Sequence, residues 1–240
     1  MLLSLLLFGC APEPAPADVD GLLHWSWTMY EEATDEQWVE AVLNLPREGE
    51  GEPSRLAAEE VEHVEWGDSD VTQARGMYIA NTFECELERL QEILAAQDQM
   101  AQYEGVYTRY ERTYTSDLAD FEANGGFLSW EVELEGEYVN TAYTERLHGG
   151  LRRVEGALVA RTWITEPVDF EEGSDWWWPT DVQIEVFAED EGEIVHLYGI
   201  WRELDIGSLS TEDDGLVNLT RNGMRDWDDE TESLCASGAR

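Results

Sequence analysis

Lysine is absent from this sequence. All 14 strong cations are arginines, set against 54 aspartates and glutamates, for a formal net charge of -40 at pH 7. Such a surface repels phosphate backbones and anionic lipid headgroups, which excludes nucleic acid as a partner. Metal motifs are missing too. His24, His63, His148 and His196 are scattered, none sits in an HExxH spacing, and no CxxC occurs, so no transition-metal site is expected. The acidic run 226–230 lacks the spacing and the glycine of an EF-hand and reads as a solvated helix face. No GxSxG, P-loop or GxGxxG is present, and no cofactor is expected. A Ser/His/Asp constellation need not be local in sequence and stays open. No apolar run is long enough to span a bilayer, and no internal repeat occurs.

What is present suffices for a core. A hydrophobic fraction of 42%, with 11% aromatic, argues against general disorder, and 240 residues hold one domain of good size or one domain with an extension. Residues 207–235 organise the reading. Leu216, Leu219, Gly223, Met224, Trp227, Thr231 and Leu234 recur at spacings of three and four, one face of a helix. Asp226, Asp228, Asp229 and Glu232 fall largely on the other side. Ser210 before Glu212, Asp213 and Asp214 marks the helix start. Gly223 is expected to let the helix approach another surface closely.

Residues 105–204 read mostly as strands. Leu128, Trp130, Val132 and Leu134 alternate with Glu131, Glu133 and Glu135, the pattern of a sheet with one dry and one wet face. Strands follow over 138–147 and over 151–165, the latter bulged at Gly156. Strands 182–188 and 194–204 are joined by the hairpin loop Glu189-Asp190-Glu191-Gly192. Earlier come a strand over 76–83, a helix over 85–103 with Leu87, Leu90, Ile93, Leu94 and Met100 inward, and a strand over 106–115. Residues 21–72 form an extension. Alternation predicts a strand over 22–30. Thr34 and Gln37 form a capping box for a helix that buries Trp38, Ala41, Val42 and Leu45 before Pro46. A loop spans 47–53, and Ser54 is expected to cap a second helix through Val64.

A strand, a helix, a run of antiparallel strands and a long closing helix make a recognisable order. It is carried by the step Met77-Tyr78-Ile79-Ala80 into Glu86-Leu87-Glu88-Arg89-Leu90 and by Gly215-Leu216-Val217-Asn218 in the closing helix. On these residues, 73–236 resembles the START-like superfamily, the helix-grip fold also called SRPBCC. The resemblance implies an α+β fold in which a curved antiparallel β-sheet grips a long C-terminal helix, here with a small N-terminal α/β extension. It also implies a cavity between sheet and helix. Members hold lipids, sterols, polyketides or other apolar molecules there, and some are cyclases or hydrolases. The superfamily has no invariant catalytic residues to carry over.

The expected activity is therefore binding of an apolar or amphipathic small molecule. Tyr110, Trp130, Tyr143, Trp163, Tyr198, Met224 and Trp227 are the expected lining, with Arg112 and Arg202 as polar anchors. On strand parity Arg112 shares a face with Tyr110, Arg161 with Trp163, and Arg202 with His196 and Tyr198. An inward arginine can hold a carboxylate or phosphate bidentately. The competing reading, placed first, pairs Arg109, Arg112, Arg146, Arg161 and Arg202 with the many acids of the chain. Two other functions stand beside binding: a cyclase- or hydrolase-type enzyme with His196 as its acid or base, and a surface interaction protein whose cavity is filled by side chains. Asp175-Trp176-Trp177-Trp178-Pro179 is read as core packing at a sheet end, or as an aromatic gate over the cavity mouth.

The amino terminus reads as an address. Leu7-Phe8-Gly9-Cys10 resembles the lipobox of bacterial lipoproteins, with no Lys or Arg before the apolar run as a departure. The resemblance implies residues 1–10 as signal peptide and lipobox, lipidation at Cys10, and membrane attachment through that lipid. Residues 11–20 are then a Pro/Ala-rich tether. Ala11 points to the outer membrane, and the expected place is the cell envelope. Cys85 and Cys235 remain, either bridged, as suits an oxidising compartment, or as two free thiols.

Overall fold

The computed structural model describes residues 14–103, 106–138 and 140–238. Cys10 and the segment read as a signal peptide lie outside the described residues.

The first element corrects the sequence reading. Residues 22–30 do not form a strand; α1 (Val19–Thr28) is a helix, capped by Asp18, whose carboxylate accepts from Gly21 N at 2.9 Å. Leu22, Leu23, Trp25, Ser26 and Trp27 are all buried, so this helix is covered on most sides. Alternation of large and small residues in such a segment carries no period information. The capping box of α2 (Asp35–Leu43) forms as expected, and Trp38 of α2 stands edge-on to Trp25 at 4.8 Å. The helix expected from Ser54 does not form. Ser54 instead donates its N–H to Asp20 of α1 at 2.6 Å, and only a short 3-10 turn follows at Ala58–Val61. Packing begins before α1: Ala15 is buried, and the Pro16 carbonyl accepts from Asn44 Nδ2 at 3.1 Å.

The sheet is entirely antiparallel, with β1 (Gly49–Gly51), β2 (Arg75–Phe83), β3 (Tyr107–Tyr114), β4 (Gly126–Tyr138), β5 (Thr141–Val154), β6 (Ala157–Ile164), β7 (Asp169–Phe170), β8 (Trp177–Asp190), β9 (Glu193–Ile206) and β10 (Leu209–Ser210). Its order is β1-β2-β9-β8-β6-β5-β4-β3, with β10 on β9 and β7 on β5. Gly156, φ +71°, is not a bulge; it turns the chain between β5 and β6. The β8–β9 hairpin turns at Glu191 and Gly192, both with positive φ, which matches the right-handed strand twist.

Parity then divides the residues. On the outer face Val182, Ile184 and Val186 of β8, Leu197 and Trp201 of β9, and Trp163 of β6 share one core with α1 and α2. At Gly199 an added Cβ would lie 2.6 Å from Leu23 Cδ2, so only glycine admits α1 this close. The inner face carries the second core, built from Leu128, Trp130, Val132, Leu134, Leu158, Phe187 and Leu204 among others. Glu131, Glu133 and Glu135 of β4 turn away from that core.

Three helices complete the inner side. α3 (Leu87–Leu94) is shorter than the expected 85–103. Side chains from elsewhere capture its last carbonyls: Gln99 Nε2 donates to Leu94 O at 2.9 Å, Arg112 Nη1 to Leu94 O at 2.7 Å, and Tyr114 Oη to Ala95 O at 2.5 Å. α4 (Leu118–Asn124) goes unread in the sequence, although Asp117 caps it and Phe121 is buried. The closing helix, α5 (Asp214–Ser237), starts three residues after the expected cap, at Asp213 rather than Ser210. It lies along β2 and α3. Arg75 of β2 donates to Thr211 O at 3.1 Å and Glu212 O at 3.0 Å just before its start. The disulfide Cys85–Cys235 fixes its other end, with Cα atoms 5.4 Å apart.

Candidate functional site

Two features of α5 depart from the sequence reading, and both bear on the site. Asp228 is not on a solvated face; it is 1% exposed and meets the inner face of the sheet. Gly223 does not touch a neighbouring surface. A Cβ there meets nothing within 4 Å, because the residue borders open space.

That space is a cavity of about 710 Å³ between the inner face of the sheet and α5. β3, β4 and β5 supply one wall with Tyr107, Tyr110, Trp130, Leu134 and Tyr143. β8 and β9 supply the floor with Gln183, Glu185, Tyr198 and Arg202. α5 closes the other side with Met224 and Trp227. Gly149 on β5 lets the Trp130 indole lie across it: a Cβ there would sit 2.4 Å from the indole nitrogen. The expected third reading, a space filled by side chains, is not what the structure shows.

Most of the expected lining is present. Tyr110, Arg112, Trp130, Tyr143, Tyr198, Arg202, Met224 and Trp227 all border the cavity. Trp163 does not. It points to the outer face, where its indole donates to Glu65 O at 3.1 Å and its ring stands 6.0 Å from Trp27. Parity puts it there with Arg161, which pairs with Glu31 and lies 4.2 Å over Tyr30. In the run of three tryptophans, Trp178 is buried and borders the cavity, Trp176 packs on Phe170, and Trp177 is 48% exposed. The run is thus largely sheet-end packing, with one ring turned inward.

The two expected polar anchors are already occupied. Arg112 donates from Nη1 to Leu94 O and Ala96 O (2.7 and 2.9 Å) and from Nε and Nη2 to Tyr110 Oη (3.1 and 2.8 Å). Its guanidinium lies 4.1 Å over Trp130. Arg202 donates from Nε to Asp181 Oδ2 at 2.5 Å and lies 4.4 Å over Trp178. Burial alone would lower the Arg202 pKa, but Asp181 holds it above its ordinary value. The acid-pairing reading also describes Arg109, with Glu111 and Glu135, and Arg146, with Glu133 and Glu166.

His196 is fully buried beneath the cavity floor and does not border the cavity. Its Nδ1 is 2.7 Å from Asp228 Oδ1, and its Nε2 is 3.4 Å from Glu185 Oε2. Asn81 Nδ2 donates to the other Asp228 oxygen at 3.3 Å. Phe187 stacks on the ring at 4.1 Å. Burial would lower the histidine's pKa, yet the Asp228 and Glu185 carboxylates hold it up at about 9. A cationic imidazolium locked between two acids is a fastener between β9 and α5, not an exposed acid or base.

Glu145 is not among the residues expected at the site. It is 4% exposed, borders the cavity, and shares the inner face of β5 with Tyr143 and Leu147. Among the described residues its carboxyl accepts no hydrogen bond and meets no cation within 4 Å. Burial, reinforced by Asp181 and opposed by Arg202, pushes its pKa up to about 8. Strand parity was the available signal: an acid two residues from an inward tyrosine lies on the inward face.

No protein-family model matches the chain, and no curated protein matches it in sequence. Solved structures do. The human StAR-related lipid transfer protein 5 superposes with a TM-score of 0.50 at 8% identity, over 85% of this chain and 97% of that one. The START-like helix-grip fold is therefore this chain's fold. A START superfamily protein from Mycobacterium smegmatis gives 0.47 at 8% identity, over 68% of this chain and 99% of its own. The lipid transfer and protein localization domain of human StarD13 gives 0.46 at 9% identity, over 82% and 94%. In this chain the helix-grip sheet carries α1 and α2 on its outer face, so both faces of β8 and β9 are buried.

Proposed function

We propose that this protein binds an apolar or amphipathic small molecule in the sheet–helix cavity. The observation that carries the reading is the cavity itself. At about 710 Å³ it falls within the roughly 300–1,000 Å³ range of small-molecule sites, and its lining combines aromatic rings and aliphatic side chains with polar and charged groups, as an amphipathic ligand requires. The shared fold with the human StAR-related lipid transfer protein 5 supports a lipid-like occupant. We further propose that the chain is exported and held in the cell envelope by lipid on Cys10. The disulfide supports this, because such bonds persist in oxidising compartments. Radiolabelled palmitate incorporated by the native protein and lost in Cys10→Ser is the expected result; equal label in both rules the anchor out.

The cavity reading is tested by blocking it. Gly223 has room for a side chain, and on α5 a phenylalanine there enters the cavity mouth. Gly223→Phe is expected to cut uptake of a neutral apolar dye such as Nile red by about tenfold while leaving the circular dichroism spectrum unchanged. Undiminished uptake in a folded variant places the dye elsewhere and removes the support.

A further inference from the structure

The polar groups of the cavity say which end of an amphiphile it accepts. Its arginines are already engaged: Arg112 is wrapped by two carbonyls and a phenol hydroxyl, and the charge of Arg202 is balanced by Asp181. The group left over is a carboxyl. Glu145 is nine-tenths buried and more, faces the open space, and has no hydrogen bond or ion pair among the described residues. A buried carboxyl without a partner is costly and takes either a proton or a cation.

We propose that Glu145 anchors the protonated amine of a cationic amphiphile whose apolar body lies between the sheet and α5. The assignment rests on the binding reading above and narrows it to one ligand class. Three observations beyond the lone carboxyl point the same way. Tyr107 and Tyr143 flank the acid on the same wall, and aromatic faces attract ammonium groups. The exposed charged members of the lining, Glu137, Asp226, Asp229 and Glu230, are all acids, so an anionic headgroup is repelled on its way in. Glu185, the other buried acid bordering the cavity, is held by His196 at 3.4 Å and adds negative charge to the floor. Around Arg202 two acids, Asp181 and Glu145, face one cation, so the carboxylate or phosphate expected of an arginine anchor is the wrong partner.

Isothermal titration of the full chain, stripped of bound lipid, with decylamine, decanol and decanoate near neutral pH tests this. Decylamine is expected to bind about tenfold or more tightly than decanol, and decanoate most weakly. Glu145→Gln keeps the shape and is expected to lose about tenfold in decylamine affinity while decanol is unchanged. It removes only one charge from -40, so adsorption of the amine to the acidic surface survives the substitution and is told apart from binding at Glu145. Decanol binding with decylamine no tighter, or decylamine affinity unaltered in Glu145→Gln, overturns the amine assignment and leaves the cavity reading standing. Failure of all three probes to bind the wild type overturns both.

Discussion

Glu145 and His196 tie stability to pH in the same direction by different routes. The Glu145 pKa is raised from 4.5 to about 8 on folding, so the folded chain holds an extra proton between those values. Stability contributed by that proton is lost as pH climbs through the window, and the penalty is complete above about 8. Glu145→Gln carries no such penalty. Its Tm is expected to exceed the wild-type Tm at about pH 9 and to converge with it at about pH 4. A glutamine variant that melts below the wild type at the alkaline end contradicts a buried, unpaired carboxyl. His196 is raised from 6.5 to about 9, so its contribution is complete below 6.5 and is lost as pH rises through 9. Asp228→Asn removes the acid that fastens it. Leaving a buried cation without its partner costs roughly 3–5 kcal/mol. Urea unfolding at about pH 6 is expected to show that loss, and the gap to the wild type is expected to narrow above about pH 9. A gap that does not change with pH assigns the loss to packing rather than to the ion pair.

Among the elements, α5 was the most legible and also the most instructive. Its existence and its apolar stripe through Leu216, Met224 and Trp227 follow from spacing, and its place on the sheet from that stripe coming after a run of strands. Spacing did not show that Asp228 turns inward, because its partner His196 lies 32 residues away on β9 and no local pattern links them. The alternation of β4 was equally plain, since one of its faces is wet. α1 was not legible, because burial on most sides erases the polar stripe that marks a helix. The end of α3 depended on donors from Gln99, Arg112 and Tyr114, a tertiary effect with no sequence period. The lining of the cavity was read from strand parity, and the one misplaced ring, Trp163, has the parity of Arg161 and faces the other core. The disulfide acts at this level. It closes a separation of 150 residues between the end of β2 and the end of α5. Cys85→Ser is expected to cost about 4–5 kcal/mol in the chain-entropy account, read as a lower denaturation midpoint with an unchanged folded spectrum. A midpoint shift of under about 1 kcal/mol means that the hydrogen bonds along α5 hold it without the bond.

Two large cores, one on each face of the sheet, and the hollow beside the inner one organise the described residues. The outer face of the sheet is filled by α1 and α2, with Trp27, Trp38 and Trp201 fully buried. The inner face is only partly filled: α5 packs along β2 and α3, and the hollow lies between it and β3, β4 and β5. A charge of -40 surrounds this hollow, which keeps anionic surfaces and ligands away and leaves neutral and cationic molecules as candidates. Native mass spectrometry of the protein purified from its own cells asks the central question directly: whether the hollow is occupied. The account predicts an adduct that extracts into organic solvent and is missing from Gly223→Phe. A bare wild-type mass, together with no uptake of a neutral apolar dye, contradicts it.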